Sequence, residues 1–356
     1  QAGLGVSGSL AGYIITAHSL FIVLSSPVAG ALVDRYGPRR PYVFGLVLYA
    51  LAGGAGLVVN SFGLLLVFRA VFGVGVAFIF TSITVLIYTL FEGARKDRAM
   101  GLRGSAESLG AAIWPLVGGL LGTVSWHLPF GVYLIALPLG VVAYLTVPEP
   151  AQSSKQDADK SSTGGVRSVV RVFSRTPLLV LVYGLFFATN VLLYAIVIYY
   201  PQLLSDFGVS SSLSVSLYLA VTGIAGGVSA YFYDRIKRRF GYRQLTVMAF
   251  ALWFIGFSIA AVVSTPGIAV LPVVLFGLGQ GLVIPTVMLW VEALVPADSQ
   301  GQFSSYIAMA GFIGQFLSPV LFGIVAGPFG VNAVYVVAAG FAGVVLAISG
   351  VQYALR

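Results

Sequence analysis

The sequence contains no cysteine and very little charge. Of its 356 residues, 8% are Asp, Glu, Lys or Arg, against ~25% in an ordinary soluble domain. The absence of cysteine excludes disulfides, thiolate metal ligands and thiol nucleophiles. The sequence also lacks a glycine-rich phosphate loop with its lysine, and its two histidines are not at metal-binding spacing. We therefore expect no enzyme, no ATP-driven pump, no cofactor, no catalytic residue and no metal site.

Apolar residues occupy most of the chain. They make up 58% of it, the mean hydropathy is +0.99, and many apolar runs are long enough to cross a ~30 Å hydrocarbon layer as helices. These runs are continuous, which excludes the ~10-residue alternating segments of a membrane β-barrel. The predicted fold class is an all-α membrane protein in the lipid bilayer. We predict eleven spans, near residues 9–33, 41–60, 63–91, 104–123, 128–147, 176–200, 211–233, 244–264, 267–291, 302–327 and 330–353.

Basic residues are confined to one set of predicted loops. Eighteen of the 19 Lys and Arg residues lie on one side of the predicted spans, in 34–40, 92–103, 149–175, 234–243 and at Arg356. The positive-inside rule makes this side cytoplasmic, together with the C-terminus. We expect a prokaryotic inner or plasma membrane. The net charge of +8 then follows from topology, and no nucleic-acid partner is expected.

The sequence repeats itself around a polar stretch. Residues 148–175 are rich in Ser, Lys, Asp and Gly, which predicts a flexible cytoplasmic linker. The charged junction at residues 30–40 recurs at 234–243, and Phe72-Gly73 recurs as Phe276-Gly277. Such self-similarity indicates an internal repeat. In this alignment the span 176–200 has no partner, so we expect a first span missing before Gln1.

The junction carries a resemblance to a known family. Its pattern is Gly-x-x-x-Asp-Arg-x-Gly-x-Arg-Arg, formed by Gly30, Asp34, Arg35, Gly37, Arg39 and Arg40. With the repeat and the linker, it resembles the major facilitator superfamily of secondary transporters over the whole chain, and it departs at Pro38, where a basic residue is usual. The resemblance implies a bundle of two six-helix halves: 1–147 holding spans 2 to 6, the linker 148–175, and 176–356 holding spans 7 to 12.

Asp34 needs a partner on electrostatic grounds. A carboxylate at the C-terminal end of a helix is unfavourable against that helix's dipole, so another helix N-terminus or a cation should hold it. The resemblance implies the helix that starts near residues 299–302, with the contact formed when the cytoplasmic side is closed. Gating roles are expected for the junction arginines, which we expect to contact Glu92 and Asp97, and for Asp234 and Arg235 in the second copy. The alternative is that these charges only set topology.

Three ionisable residues within spans are candidates for proton coupling. A charged Arg69 costs at least ~2.5 kcal/mol at the bilayer centre, so it should face the bundle interior and find an acceptor. Its surrounding sequence is similar to the fourth-span motif associated with proton coupling in the superfamily; snorkelling to the interface is the alternative. His18, near mid-membrane, either carries protons or is a neutral ring bonded to a carbonyl. Glu107 lies on one helix face with Arg103, which also suits a structural pair.

The span 104–123 carries a second pattern. Gly110, Pro115, Gly118 and Gly119, with Gly101, are similar to the antiporter motif in the fifth span of drug-exporting members, although Trp114 stands where glycine is typical. Small residues allow close helix contact and Pro115 permits a kink, which suits a conformational role. The alternative is glycine-rich packing with no particular coupling type.

The superfamily's central cavity corresponds here to the spans 63–91, 176–200 and 267–291. Their polar and aromatic candidates for substrate contact are Thr81, Thr84, Asn190, Tyr194, Gln280 and Trp290. Each is alternatively an interhelical packing residue. A cavity lined by neutral groups favours amphipathic solutes over phosphorylated or dicarboxylate ones, which usually need several cations.

These observations predict a monomeric, proton-coupled exporter of small amphipathic or drug-like compounds that works by alternating access. Its partners would be the small-molecule substrate and protons. Two alternatives stay open: an uptake symporter or uniporter of a small polar solute, and a non-transporting receptor or scaffold on the same bundle.

Overall fold

The computed structural model describes residues 8–148, 172–209 and 211–354, and these ranges are helical with short connections. A helical segment lies over each of the eleven predicted spans, which confirms the all-α fold. The α-helices are α1 (Gly8–Tyr36), α2 (Arg39–Gly54), α3 (Phe62–Leu90), α4 (Gly93–Val124), α5 (Ala136–Thr146), α6 (Pro177–Asp206), α7 (Ser212–Tyr231), α8 (Tyr233–Lys237), α9 (Tyr242–Val262), α10 (Val270–Leu294), α11 (Gln300–Phe329) and α12 (Val331–Ala354). Short 3₁₀ segments occupy Ala55–Leu57, Leu128–Ile135 and Ala297–Ser299.

Within the described ranges, seven helical segments have the length and composition needed to cross a membrane. They are Phe62–Leu90, Leu128–Thr146, Pro177–Asp206, Ser214–Tyr231, Tyr242–Val262, Val270–Leu294 and Gln300–Phe329. Their mean hydropathy lies between 1.3 and 2.4, so hydrocarbon is a better environment for them than water. The chain is an integral membrane protein.

Two of the shortest connections between helices depend on glycine. Gly37 has φ +78° and ends α1, so that α2 begins two residues later at Arg39. Gly330, with φ +80°, separates α11 from α12 in the same way. Left-handed backbone is inexpensive only without a β-carbon, and this explains glycine at both helix ends. The turn at Gly37 positions the charged residues on either side of it.

Contacts divide the chain into two compact units. The first comprises 1–91, 118–187 and 290–313, and the second comprises 92–117, 188–289 and 314–356. Each unit therefore combines segments from both sides of the polar stretch 148–175, most of which lies outside the described residues. The division into halves 1–147 and 176–356, inferred from the sequence repeat, stays a prediction.

Small residues and aromatic rings form the interiors of the units. In the first unit, α1 and α2 pack against α3, with Ile22, Ala29, Ala77 and Phe78 in one buried cluster. In the second unit, a β-carbon built on Gly223 of α7 would lie 2.5 Å from the carbonyl oxygen of Ser108 in α4. Glycine at that position therefore permits backbone-to-backbone packing. The rings of Trp253 and Phe276 stack there with centroids 5.2 Å apart.

Candidate functional site

Asp34 caps the N-terminus of α11. Its Oδ1 accepts a hydrogen bond from the backbone N–H of Gly301 at 2.7 Å, and its Oδ2 accepts one from Gln302 at 2.8 Å. The first N–H groups of a helix lack acceptors within the helix and carry the positive end of its dipole, so a carboxylate is their best partner. The contact lies within the range 299–302 that the resemblance implies. Its gating role stays a prediction.

Two glycines allow this contact. A β-carbon built on Gly30 would lie 2.8 Å from both the Cα of Gln302 and the carbonyl oxygen of Gly301, and 2.7 Å from the Oγ of Ser305. A β-carbon on Gly301 would overlap the carboxylate of Asp34. Glycine at both positions therefore lets α1 and α11 approach closely enough for the carboxylate to reach the backbone.

The neighbouring arginines contact aromatic rings. Arg39 donates from Nη2 to the carbonyl oxygen of Tyr144, and its guanidinium lies 4.8 Å from the centroid of the Tyr144 ring. The guanidinium of Arg35 lies 5.3 Å from the ring of Tyr36, and Arg40 is exposed. Such cation–π contacts contribute about 0.5–1 kcal/mol at exposed sites.

The predicted contacts of the junction arginines with Glu92 and Asp97 stay a prediction. Within the second unit, Asp97 pairs with Lys237 of α8, whose Nζ lies 3.0 Å from both carboxylate oxygens. The reason is that α8 directly follows α7, which packs on the first part of α4, so Lys237 is brought to Asp97. Both side chains are 17% exposed, so the pair is partly shielded from solvent.

The second copy of the junction is more buried than the first. The carboxylate of Asp234 is 6% exposed and accepts a hydrogen bond from Arg238 at 3.2 Å, whereas Arg238 is 64% exposed. Arg235 is exposed and lies 5.3 Å from the Phe232 ring. Burial raises the pKa of Tyr233 well above its ordinary value, so its hydroxyl stays protonated. Thr286 donates to that hydroxyl at 3.2 Å.

Arg69 lies in an aromatic cage within the first unit. Its guanidinium carbon is 5.5 Å, 5.2 Å and 5.6 Å from the ring centroids of Phe72, Phe130 and Tyr133. Nη1 also makes a long hydrogen bond of 3.5 Å to the Tyr133 hydroxyl. Ring quadrupoles attract a desolvated cation by up to about 2 kcal/mol each, which explains how Arg69 is tolerated in this helix.

His18 also contacts Phe72. The centroids of the His18 and Phe72 rings are 5.9 Å apart in an edge contact, and a β-carbon built on Gly73 would overlap the carbonyl oxygen of His18. Phe72 therefore contacts both a fixed cation, Arg69, and a titratable imidazole. These two candidates for proton coupling belong to one cluster.

The start of α4 has the predicted ion pair. Arg103 Nε lies 2.8 Å from Glu107 Oε1, with the arginine side chain 6% exposed and the carboxylate 44% exposed. Both residues lie on one helix face, as their spacing indicates. Ser105, which lies between them in the sequence and points to a different side of α4, donates to the carbonyl oxygen of Gly227 in α7 at 2.9 Å. The pair thus lies beside the α4–α7 packing of the second unit.

The glycines of α4 differ in their surroundings. A β-carbon on Gly101 would lie 2.5 Å from the carbonyl oxygen of Ala230, as expected for close helix packing. At Gly110 it would meet only the Trp114 ring of the same helix at 3.3 Å, and at Gly118 nothing in the described residues lies within 4 Å. Close packing at Gly110 and Gly118 therefore stays a prediction. Pro115 and Gly119 also lie within α4.

The cavity candidates belong to both units. Thr81 and Thr84 are fully buried on α3, and Thr84 donates to the carbonyl oxygen of Phe80 at 2.7 Å. Asn190 is buried on α6 and accepts a hydrogen bond from Gln315 Nε2 at 2.9 Å. Tyr194, Gln280 and Trp290 are partly buried. Substrate contact by any of the six stays a prediction.

Two polar residues of the site were not predicted from the sequence. Gln315 is an amide inside an apolar helix, which is a signal that could have been used. Tyr183 donates from its hydroxyl to the carbonyl oxygen of Phe303 at 2.6 Å, one residue after Gln302 of the Asp34 contact. No sequence spacing connects Tyr183 to residue 303, so this bond between α6 and α11 requires the fold.

Comparison with known families identifies the chain. The sequence profile of the Major Facilitator Superfamily matches residues 1–319 and 238–353. The chain belongs to the Major Facilitator Superfamily. It is therefore a membrane transporter, in a family whose members bind small-molecule substrates and are not enzymes.

Relatives and solved structures agree with this assignment. Multidrug resistance protein 1 of Bacillus subtilis (strain 168) is 26% identical over 328 residues, covering 90% of this chain and 82% of that protein. Quinolone resistance protein NorA of Staphylococcus aureus (strain MRSA252) is 24% identical over 337 residues, covering 90% and 83%. The human organic anion transporter MFSD10 (TETRAN) superposes with a TM-score of 0.80 at 19% identity, covering 95% and 83%. The transporter FucP in its outward conformation gives 0.79 at 17%, covering 99% and 92%. At these identities the two structures show the fold alone.

Proposed function

We propose that this transporter exports small amphipathic or drug-like compounds across a prokaryotic plasma membrane in exchange for protons, by alternating access. Two relatives that match 90% of the chain are named for multidrug and quinolone resistance, which supports drug-like substrates. The observation that carries the mechanism is the cap that Asp34 forms on α11. The charged loops and the C-terminus face the cytoplasm in this proposal.

The Asp34 contact has the properties of a reversible latch. It joins the end of α1 to the start of α11, elements on opposite sides of the polar stretch, through two hydrogen bonds of 2.7 and 2.8 Å. Hydrogen bonds to a charged group contribute about 1.5–3 kcal/mol each, and Asp34 is exposed, so the lower end of that range applies. An energy of this size can hold one conformation without trapping it.

Proton coupling is assigned to the cluster around Phe72. Arg69 cannot lose its proton at physiological pH, so it contributes a fixed charge. Imidazole is the side chain best suited to gain and lose a proton at physiological pH, and the His18 ring contacts the same phenyl ring at 5.9 Å. We assign the transported proton to His18 and the field that tunes it to Arg69. Glu107, which is paired with Arg103 and 44% exposed, has a structural role in this assignment.

The proposal is tested by flux into proteoliposomes. Ethidium is a suitable probe because its permanent charge does not change with pH, so a pH gradient alone does not redistribute it across the membrane. A quinolone is a second probe. An antiporter accumulates the probe when the lumen is acidic, whereas a symporter accumulates it when the outside is acidic. We expect accumulation with the acidic lumen, and none in protein-free liposomes. Accumulation with the opposite gradient would establish the uptake alternative, and no flux of either probe would contradict drug export.

The proton site is tested separately with the two histidines. His18→Gln is expected to abolish accumulation under the gradient while keeping exchange of labelled for unlabelled probe, since exchange needs no net proton movement. His127→Gln is the matched control, because the His127 ring binds the carbonyl oxygen of Gly56 through Nδ1 at 2.8 Å, whereas the His18 ring contacts Phe72. Full accumulation by His18→Gln would show that His18 does not carry the transported proton.

A further inference from the structure

An open groove runs between α2 and α5 in the first unit. Its volume is about 340 Å³, and its walls are the side chains of Val43, Val47, Leu137, Pro138, Val141 and Tyr144 with the backbone of Gly140. Val141 is 60% exposed and Tyr144 is 56% exposed. Because these helices belong to an integral membrane protein, apolar walls that face outward meet lipid acyl chains rather than water.

One end of the groove is cationic. Arg39, the first residue of α2, lies one helical turn before Val43, and its guanidinium lies against the ring and carbonyl of Tyr144, a residue of the groove wall. The Nε of Arg39 is buried and has no hydrogen-bond partner. Arg40 beside it is exposed. A buried donor without an acceptor costs about 1–3 kcal/mol, and more for a charged group, so the guanidinium of Arg39 is only partly satisfied by Tyr144 and favours an anion nearby.

We propose that this groove binds an anionic glycerophospholipid. One acyl chain lies along Val43, Val47 and Val141, and the phosphodiester lies at the cationic end of the groove, where it accepts hydrogen bonds from the guanidinium groups of Arg39 and Arg40. Both requirements are met by one molecule: the apolar walls need a hydrocarbon chain, and the paired cations need a negative headgroup at the interface. Basic residues at a membrane surface attract anionic lipid by about 1 kcal/mol each.

The groove is separate from the cluster around Phe72 and from the six cavity candidates, since it uses no residue of either. The inference rests on membrane location, which family membership establishes, and not on export or proton coupling. It would stand if the flux experiment failed.

Lipid binding is measured on the purified full chain in detergent. Phosphatidylglycerol is expected to raise the melting temperature and to remain bound in native mass spectra, and phosphatidylcholine is expected to do so more weakly. Arg39→Gln and Arg40→Gln, singly, should each weaken phosphatidylglycerol binding about tenfold, equivalent to ~1.4 kcal/mol. Val141→Trp fills the groove and should weaken binding of both lipids.

Matched variants separate this site from general effects. Arg239→Gln removes an exposed cation in the second unit, and Val336→Trp enlarges a side chain that is 59% exposed on α12; both should bind phosphatidylglycerol like the unchanged chain. If Arg39→Gln does not fold, Arg40→Gln and Val141→Trp decide, since both positions are exposed. Equal binding of the two lipids, equal stabilisation by inorganic phosphate alone, or unchanged binding by the groove variants would overturn the proposal.

Discussion

The two copies of the charged junction, 200 positions apart in the sequence, end in different contacts. Asp34 is exposed and accepts two backbone N–H groups from α11, more than 260 residues away. Asp234 is buried and accepts one hydrogen bond from Arg238, four residues away. In the second copy, the distant contact is made by Lys237 with Asp97. The first copy therefore contacts a distant helix through its acidic residue, and the second copy does so through a basic residue.

This difference determines how each copy responds to substitution. Backbone N–H groups have a fixed position, so a helix cap depends on carboxylate placement and on a close approach of the two helices. An ion pair between flexible side chains depends mainly on opposite charge, and exchanging the two charges can preserve it. The first copy should be sensitive to small steric changes, and the second should tolerate them.

The largest effect is expected for Asp34→Asn. The amide can still accept one hydrogen bond, but the charge that stabilises the α11 N-terminus is lost, which costs about 1–3 kcal/mol. A change of that size shifts a two-state equilibrium roughly 5- to 150-fold, so the transport rate should fall by about tenfold or more at unchanged protein level. Initial probe flux in proteoliposomes measures it.

The control for this substitution is Asp206→Asn, the same change at an exposed residue at the end of α6. It should transport at the unmodified rate. Equal flux from the Asp34 and Asp206 variants would show that the cap has no part in transport, and the charges of the first junction would then serve topology alone.

A somewhat smaller loss is expected for Gly30→Ala. The added β-carbon would lie within 2.8 Å of backbone atoms of residues 301 and 302, and backbone yields less readily than a side chain, so α1 and α11 must separate. A typical overpacking cost of about 1–3 kcal/mol applies. Gly184→Ala is the matched control, because nothing in the described structure lies within 4 Å of a β-carbon there. Flux and melting temperature should fall for the first variant only.

An intermediate effect is expected at the ion pair of the second unit. Lys237→Gln leaves Asp97, which is 17% exposed, without its cation, and flux should fall about two- to fivefold. The exchanged pair Asp97→Lys with Lys237→Asp should recover most of it, because both side chains can reorient. A double-mutant cycle on melting temperature measures the coupling. If the single variants have the same flux and melting temperature as the exchanged pair, the pairing of the two charges has no role in transport or stability.

Sequence reasoning reached the contacts that depend on local spacing or on a unique electrostatic need. Arg103 and Glu107 were placed together by their separation of four residues. The dipole of its own helix required a helix N-terminus or a cation beside Asp34, and the family resemblance implied the helix that starts near residues 299–302. The approximate positions of the helices followed from hydropathy, although α4 begins at Gly93 and the predicted span at residue 104. In each case a physical requirement, such as helical spacing or charge compensation, could be met by only a few arrangements of the chain.

Contacts between distant helices were not accessible in the same way. The cage around Arg69 uses Phe130 and Tyr133, about sixty residues along the chain, and any of the many aromatic residues would have met the need for a partner. Asp97 had several basic candidates, and helix packing selected Lys237. For Gly110, glycine alone did not reveal whether another helix would approach.

The smallest effect is expected for Asp234→Asn, which tests the comparison most directly. The partner of Asp234 is 64% exposed, so solvent screens Arg238 and the pair contributes little. A neutral amide at this buried position also avoids the cost of desolvating a carboxylate. Flux and melting temperature should therefore stay within about twofold and a few degrees of the unmodified protein. A loss as large as that of Asp34→Asn would mean that Asp234 also caps a helix in another conformation, and that the two junctions alternate in one cycle.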